Sequence, residues 1–107
     1  MAVLGVLDME GITTDQYDSV VERMGVEGRA LGSIYLHIAA TTAEGIRVVE
    51  IWDDPQELEQ FLANTLFPTM RELGIEQQHS LIMTPIHNVF VPRLQELPML
   101  SRFAEQS

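Results

Sequence analysis

Two short runs, Ser33-Ile34-Tyr35-Leu36-His37-Ile38-Ala39 and Ile46-Arg47-Val48-Val49-Glu50-Ile51-Trp52, alternate with period two, the repeat of a β-strand whose two faces differ chemically. In the first run Ile34, Leu36 and Ile38 make one face apolar, while Ser33, Tyr35 and His37 make the other a mixed face. In the second run Val48, Glu50 and Trp52 fall on alternate positions. Joined as a hairpin, the two runs bring Tyr35, His37, Glu50 and Trp52 to one side. A plain core sheet needs no such titratable and aromatic groups, so the pattern predicts the lining of a small-molecule cavity.

The rest of the chain supplies the partners for this hairpin. Ala2 to Met9 reads as a first strand. Thr13 followed by Gln16 resembles a capping box opening a helix, whose apolar stripe is Tyr17, Val20, Val21 and Met24 and whose end is Gly25. A glycine-punctuated loop, Gly25 to Gly32, reads as a mobile rim with Arg29 available to a ligand's carboxylate or enolate. After the hairpin, Asp54, Pro55 and Glu57 carry the signs of a helix start, and Leu58, Phe61, Leu62 and Leu66 its inner stripe. Pro68 is expected to kink or divide that helix after Phe67. Residues from about 79 to 91 read as a last strand that Pro85 can interrupt and Pro92 closes, and Leu94, Leu97, Leu100 and Phe103 give the tail helical spacing. These signs divide the chain into a domain over 1–92 and an extension over 93–107.

At 107 residues there is material for one core but not for a core plus a deep private cavity, so a sizeable pocket is easier to build between two copies. The net charge is −10, and all six basic residues are arginines. Such a balance repels phosphate backbones and anionic surfaces, which argues against nucleic acid and membrane partners. With no cysteine, disulfides, thiolate metal sites and thiol nucleophiles are excluded. The three histidines lack short metal-ligand spacing, so no metal site is expected, and the absence of a long apolar run makes a cytoplasmic protein the expectation.

The order β-α-β-β-α-β is that of an α+β, ferredoxin-like fold, an antiparallel sheet with both helices on one face. Within it, the segment from Val48 through Trp52, Asp54 and Pro55 to Phe61 resembles the strand-tryptophan-helix segment of the dimeric α+β barrel proteins, especially those similar to antibiotic biosynthesis monooxygenases. The resemblance implies a homodimer in which two sheets pair through their open faces around a ligand-holding interior. It implies chemistry without a metal, flavin or other cofactor, and it places Trp52 as a wall of the cavity. Heme-degrading members combine that tryptophan with an asparagine on the first strand and a histidine on the second helix; neither is present here, which disfavours heme degradation.

The candidate chemistry follows from the hairpin. A four-residue loop at Thr41 to Glu44 pairs Ala40 with Gly45, setting Tyr35 opposite Glu50, His37 opposite Val48 and Ser33 opposite Trp52, with His37 and Glu50 diagonal. A histidine beside a carboxylate suits proton transfer, so His37 is the expected general base or acid, Glu50 its orienter and Tyr35 an oxygen-binding donor. Trp52, Ser33, Val48, His87 and Arg29 complete the expected ligand-binding set. A structural or dimer-contact role for His37, a core role for Trp52 and an interface hydrogen bond for His87 stand beside these readings; His79 reads as exposed. The expected function is a cofactor-independent enzyme acting on a hydrophobic aromatic or carbonyl compound, polyketide-like, by cyclisation, isomerisation or monooxygenation in the barrel lumen. The alternative is a non-catalytic dimeric barrel that binds a small ligand.

Overall fold

The computed structural model describes residues 1–25 and 32–103. Strand β1 (Val3–Glu10) lies between β3 (Gly45–Trp52) and β4 (Gln78–Pro85), and β2 (Ile34–Thr41) pairs with the outer side of β3, giving the antiparallel order β2-β3-β1-β4. Helix α1 (Thr14–Met24) follows β1, and a second helical segment follows β3, which is the ferredoxin-like arrangement. The loop expected to carry Arg29 lies outside the described residues.

Local chemistry accounts for the helix limits. Thr13 Oγ1 accepts from Gln16 N while Gln16 Oε1 accepts from Thr13 N, the reciprocal cap that the sequence implies. Gly25 ends α1 at φ 67°, a left-handed value that costs glycine little. Asp54 caps α2 (Pro55–Phe61) by accepting from Gln56 N. The disruption expected after Phe67 begins one turn earlier. Residues Leu62–Leu66 form a π-helical turn before α3 (Phe67–Glu72), in which Pro68 occupies the first turn. Proline donates no amide hydrogen and crowds the carbonyl four residues back, and the wider turn is where that misfit is absorbed.

Packing on β1 and β3 shows which side of the sheet the helices cover. Val3, Leu7 and Met9 are buried, as are Ile46, Val48 and Trp52, and these apolar side chains form one core with Val20, Leu58, Leu62, Leu66 and Met70 from the helices, with the buried Glu50 on the same face of the sheet. The opposite face carries Leu4, Val6, Leu36, Val49 and Ile51, half-buried, and Ile38 and Ile82, exposed. Asp8 and Arg47, paired across β1 and β3, join it with a two-point contact of 2.7 and 3.0 Å. The faces are therefore the reverse of the expected ones. Val48, Glu50 and Trp52 lie under the helices, and the uncovered face is mainly aliphatic.

The last strand ends at Pro85, the point of interruption open in the sequence, and does not resume toward residue 91. Among the described residues its only strand neighbour is β1, whose first paired residue, Val3, sits opposite Pro85; beyond one further bond from Ile86 N to Ala2 O, that partner strand has run out. The tail continues to a 3-10 helix, Leu94–Leu100, and Arg102 then returns to α1 through a 3.0 Å ion pair with Asp18.

Candidate active site

The turn joining β2 and β3 lies one residue later than expected. Thr42 N donates to Gly45 O and Gly45 N to Thr42 Oγ1, so pairing extends to Thr41 opposite Ile46. A side chain at Gly45 has no room, since its Cβ would fall 2.1 Å from Met9 O. Moving the turn by one residue shifts the register by two, which keeps each side chain on its face and changes its partner. His37 thus sits directly opposite Glu50 rather than diagonal to it.

A bulge lies at the other end of this pairing. Ile34 is opposite Trp52 and Leu36 opposite Ile51, leaving Tyr35 as the extra residue on β2. The bulge turns Ile34 onto the helix-covered core and removes Tyr35 from the expected group: its hydroxyl donates to Asp53 Oδ1 at 2.5 Å, and the residue is 66% exposed. Accepting that bond, and carrying charge, Asp53 holds the Tyr35 phenol above its ordinary pKa.

What the register assembles is a hydrogen-bonded chain of four side chains. Trp52 Nε1 donates to Glu50 Oε1 at 2.9 Å; Glu50 Oε2 is 2.5 Å from His37 Nδ1; His37 Nε2 is 2.6 Å from Tyr17 Oη on α1. The His37 and Tyr17 rings lie within 15° of parallel. Trp52 is 3% exposed and Glu50 6%, whereas the His37 side chain is 33% exposed, so the chain runs from the core toward solvent. A buried carboxylate without donors is costly, and here each oxygen has one. The Trp52 ring also packs on Phe61 of α2, with centroids 5.8 Å apart.

Tyr17 is absent from the set expected from sequence, where it belongs to the apolar stripe of α1. Other expected residues lie apart from the chain. Val48 is core, and Ser33 stands one residue before the β2–β3 ladder, its carbonyl accepting from Asp53 N while its buried hydroxyl has no hydrogen-bond partner among the described residues. His87 follows β4 and is exposed, and His79 is exposed with its ring 4.5 Å from that of Phe67. Among the described residues no group of three or more His, Cys, Asp or Glu is placed to hold a metal ion, and no helix is long and apolar enough to cross a membrane.

Solved structures share this architecture. SnoaB, a cofactor-independent oxygenase from Streptomyces nogalater, matches with a TM-score of 0.60 over 86% of this chain and 98% of its own, at 14% sequence identity. A candidate antibiotic biosynthesis monooxygenase from Deinococcus radiodurans matches with a TM-score of 0.56 over 85% of this chain and 97% of its own, at 10% identity. One of the same description from Chloroflexus aurantiacus gives 0.53 over 82% and 97%, at 14% identity. No protein-family model matches the chain, and no curated protein matches it in sequence. The chain shares the ferredoxin-like fold of these solved structures.

Proposed function

We propose that this protein is a cofactor-independent enzyme that acts on a hydrophobic aromatic or carbonyl compound by proton transfer, leading to cyclisation, isomerisation or monooxygenation, and that it works as a homodimer. The observation that carries the reading is the Glu50–His37–Tyr17 arrangement, a carboxylate, an imidazole and a hydroxyl in hydrogen-bond sequence at 2.5 and 2.6 Å. A carboxylate that orients an imidazole fixes its tautomer and supports the imidazolium that forms when it takes a proton. Trp52 secures the carboxylate from the other side. The site lies between sheet and helices, on the face away from the aliphatic surface that a second copy would cover. A cofactor-independent oxygenase of the same fold supports the choice of chemistry.

The homodimer is supported by that aliphatic surface, where Ile38 and Ile82 are 47% and 61% exposed among half-buried neighbours. Phe90, Leu94, Met99 and Leu100 extend exposed apolar surface into the stretch that includes the 93–107 extension, which we assign to contacts with the partner copy. The second reading, a non-catalytic small-ligand-binding or structural dimer, is favoured by one observation: Glu50 and Trp52 are nearly fully buried and satisfy each other, as a structural pair would.

Mutation separates the two. Once a substrate is found among aromatic polyketides, quinols and cyclic carbonyl compounds, His37→Ala should lower turnover by roughly 10²- to 10⁴-fold with the fold retained. Glu50→Gln should lower it less and shift its pH dependence, while His79→Ala should leave it unchanged. Turnover that survives His37→Ala would remove the proton-transfer role.

A further inference from the structure

We infer that the Asp8–Arg47 pair fixes how two copies meet, by facing its own symmetry mate across the joint between their uncovered sheet faces. The inference rests on the homodimer proposed above and gives that dimer its orientation.

The register arranges the uncovered face in rows. At one end Leu4 lies opposite Ile51, in the middle Val6 lies opposite Val49, and at the other end Asp8 lies opposite Arg47. The outer strands extend the middle row with Ile82 and Ile38 and the last row with Ser80 and Ala40. Successive rows are two strand residues, about 6.8 Å, apart. Among the described residues of these rows, Asp8 and Arg47 are the charged ones, and Glu10, next outward on β1, stands exposed at the rim opposite Gly45. In a single copy the pair is wet, its carboxylate side chain 36% and its guanidinium side chain 52% exposed.

A second copy encloses the pair, and what it meets there decides the cost. Charges taken out of water need opposite charge and hydrogen bonds in its place. A twofold dimer joins one patch to the same patch, so for two facing sheets the axis lies in the plane between them. An axis across the strands reverses the order of the rows and sets Asp8 and Arg47 on the row of Leu4 and Ile51. An oblique axis, which crosses the strands of the two sheets, sets the pair on an edge strand at Ile38 or Ile82. An axis along the strands lays each row on itself and exchanges left with right. Asp8 then faces the partner's Arg47, and Arg47 faces the partner's Asp8. Of the three, this arrangement alone replaces the lost water with opposite charge, and it keeps the aliphatic rows in contact with one another. Glu10 meets no like charge head-on, because it faces the partner's Gly45. Once enclosed, the ring of charges is screened little by salt.

Charge exchange tests the orientation. Arg47→Asp fills the ring with carboxylates and Asp8→Arg fills it with guanidiniums, so each variant alone should dimerise about a hundredfold more weakly than wild type in sedimentation. Mixed in equal amounts, the two variants should dimerise with each other, since every contact across the joint is then between opposite charges. The double variant Asp8→Arg/Arg47→Asp keeps a pair within each copy. It should dimerise with itself, and native mass spectrometry should find its heterodimer with wild type below the proportion given by random mixing, because like charges would face each other. Should circular dichroism show that a single variant has unfolded, the double variant decides alone. The orientation is overturned if folded single variants dimerise like wild type, if mixing them restores no dimer, or if the double variant mixes freely with wild type. A wild-type dimer that gives any of those results leaves the homodimer standing, whereas a monomeric wild-type chain removes the homodimer and this inference together.

Discussion

Tyr35 and Tyr17 are the two tyrosines of the chain, and their hydroxyls are committed to different partners. The bond to Asp53, then its charge, raises the Tyr35 pKa above the ordinary 10.0. A phenol with a folded pKa above its unfolded one favours the folded state fully below about pH 10, and that contribution is lost as pH rises through the raised value. In Tyr17→Phe the phenolate absorbance should therefore appear above pH 10, and adding Asp53→Asn should bring it down. A Tyr35 that titrates at or below its ordinary value with Asp53 in place would show that the bond does not persist in solution. At this scale His37 and Glu50 were legible, because a polar residue on a strand whose neighbours are apolar stands out from the alternation. Tyr17 was not. In a stripe with Val20, Val21 and Met24 a tyrosine reads as core, and the one available sign was that a tyrosine hydroxyl near a core needs a partner.

Between elements, the distance of α2 from the sheet depends on an absent side chain. Gly5 of β1 lies opposite Glu50, and a Cβ there would come 2.7 Å from Leu58 Cδ2, a fully buried atom group of α2. Gly5→Ala should destabilise the protein by about 1–3 kcal/mol, the range for forcing extra volume into a packed core. Urea denaturation measures it, and an unchanged midpoint would mean that Leu58 turns aside without cost. The caps of α1 and α2 were readable because Thr13, Gln16 and Asp54 act on amides within three residues of themselves. Register was not, since it turned on whether Thr41 or Thr42 opens the turn and on the bulge at Tyr35. Both depend on how β2 meets β3 rather than on either run alone.

For the molecule as a whole, the element order was legible and the orientation of the sheet was not. Strand β3 is apolar on both faces, with Ile46, Val48 and Trp52 on one and Val49 and Ile51 on the other, so alternation alone does not say which face receives the helices. The uncovered aliphatic face sets a test of assembly. Sedimentation should show a dimer at micromolar concentration, and Val49→Asp should dissociate it. Because each copy carries a net charge of −10, added salt should strengthen the association by screening the repulsion between copies. A monomeric wild-type chain, with the aliphatic face in water, would remove the dimer. Acid has a separate effect on that face. Hydrogen bonding to Arg47 lowers the Asp8 pKa from the ordinary 3.8, so the contribution of this pair is present above that value and is lost as pH falls through the lowered one.

The bulge at Tyr35 also bears on how the chain keeps company with itself at high concentration. Strand β2 is an edge of the sheet, and Ile34–Thr41 contains no proline and no acidic or lysine or arginine side chain, the usual guards against a second strand adding on. The extra residue bends that edge and leaves it a poor template. Deleting Tyr35 should straighten it into a flat, uncharged ribbon that recruits other chains, seen as seeded, thioflavin-positive fibrils where the intact chain stays dispersed. Equal resistance in the deletion variant would assign the protection to the acidic surface instead.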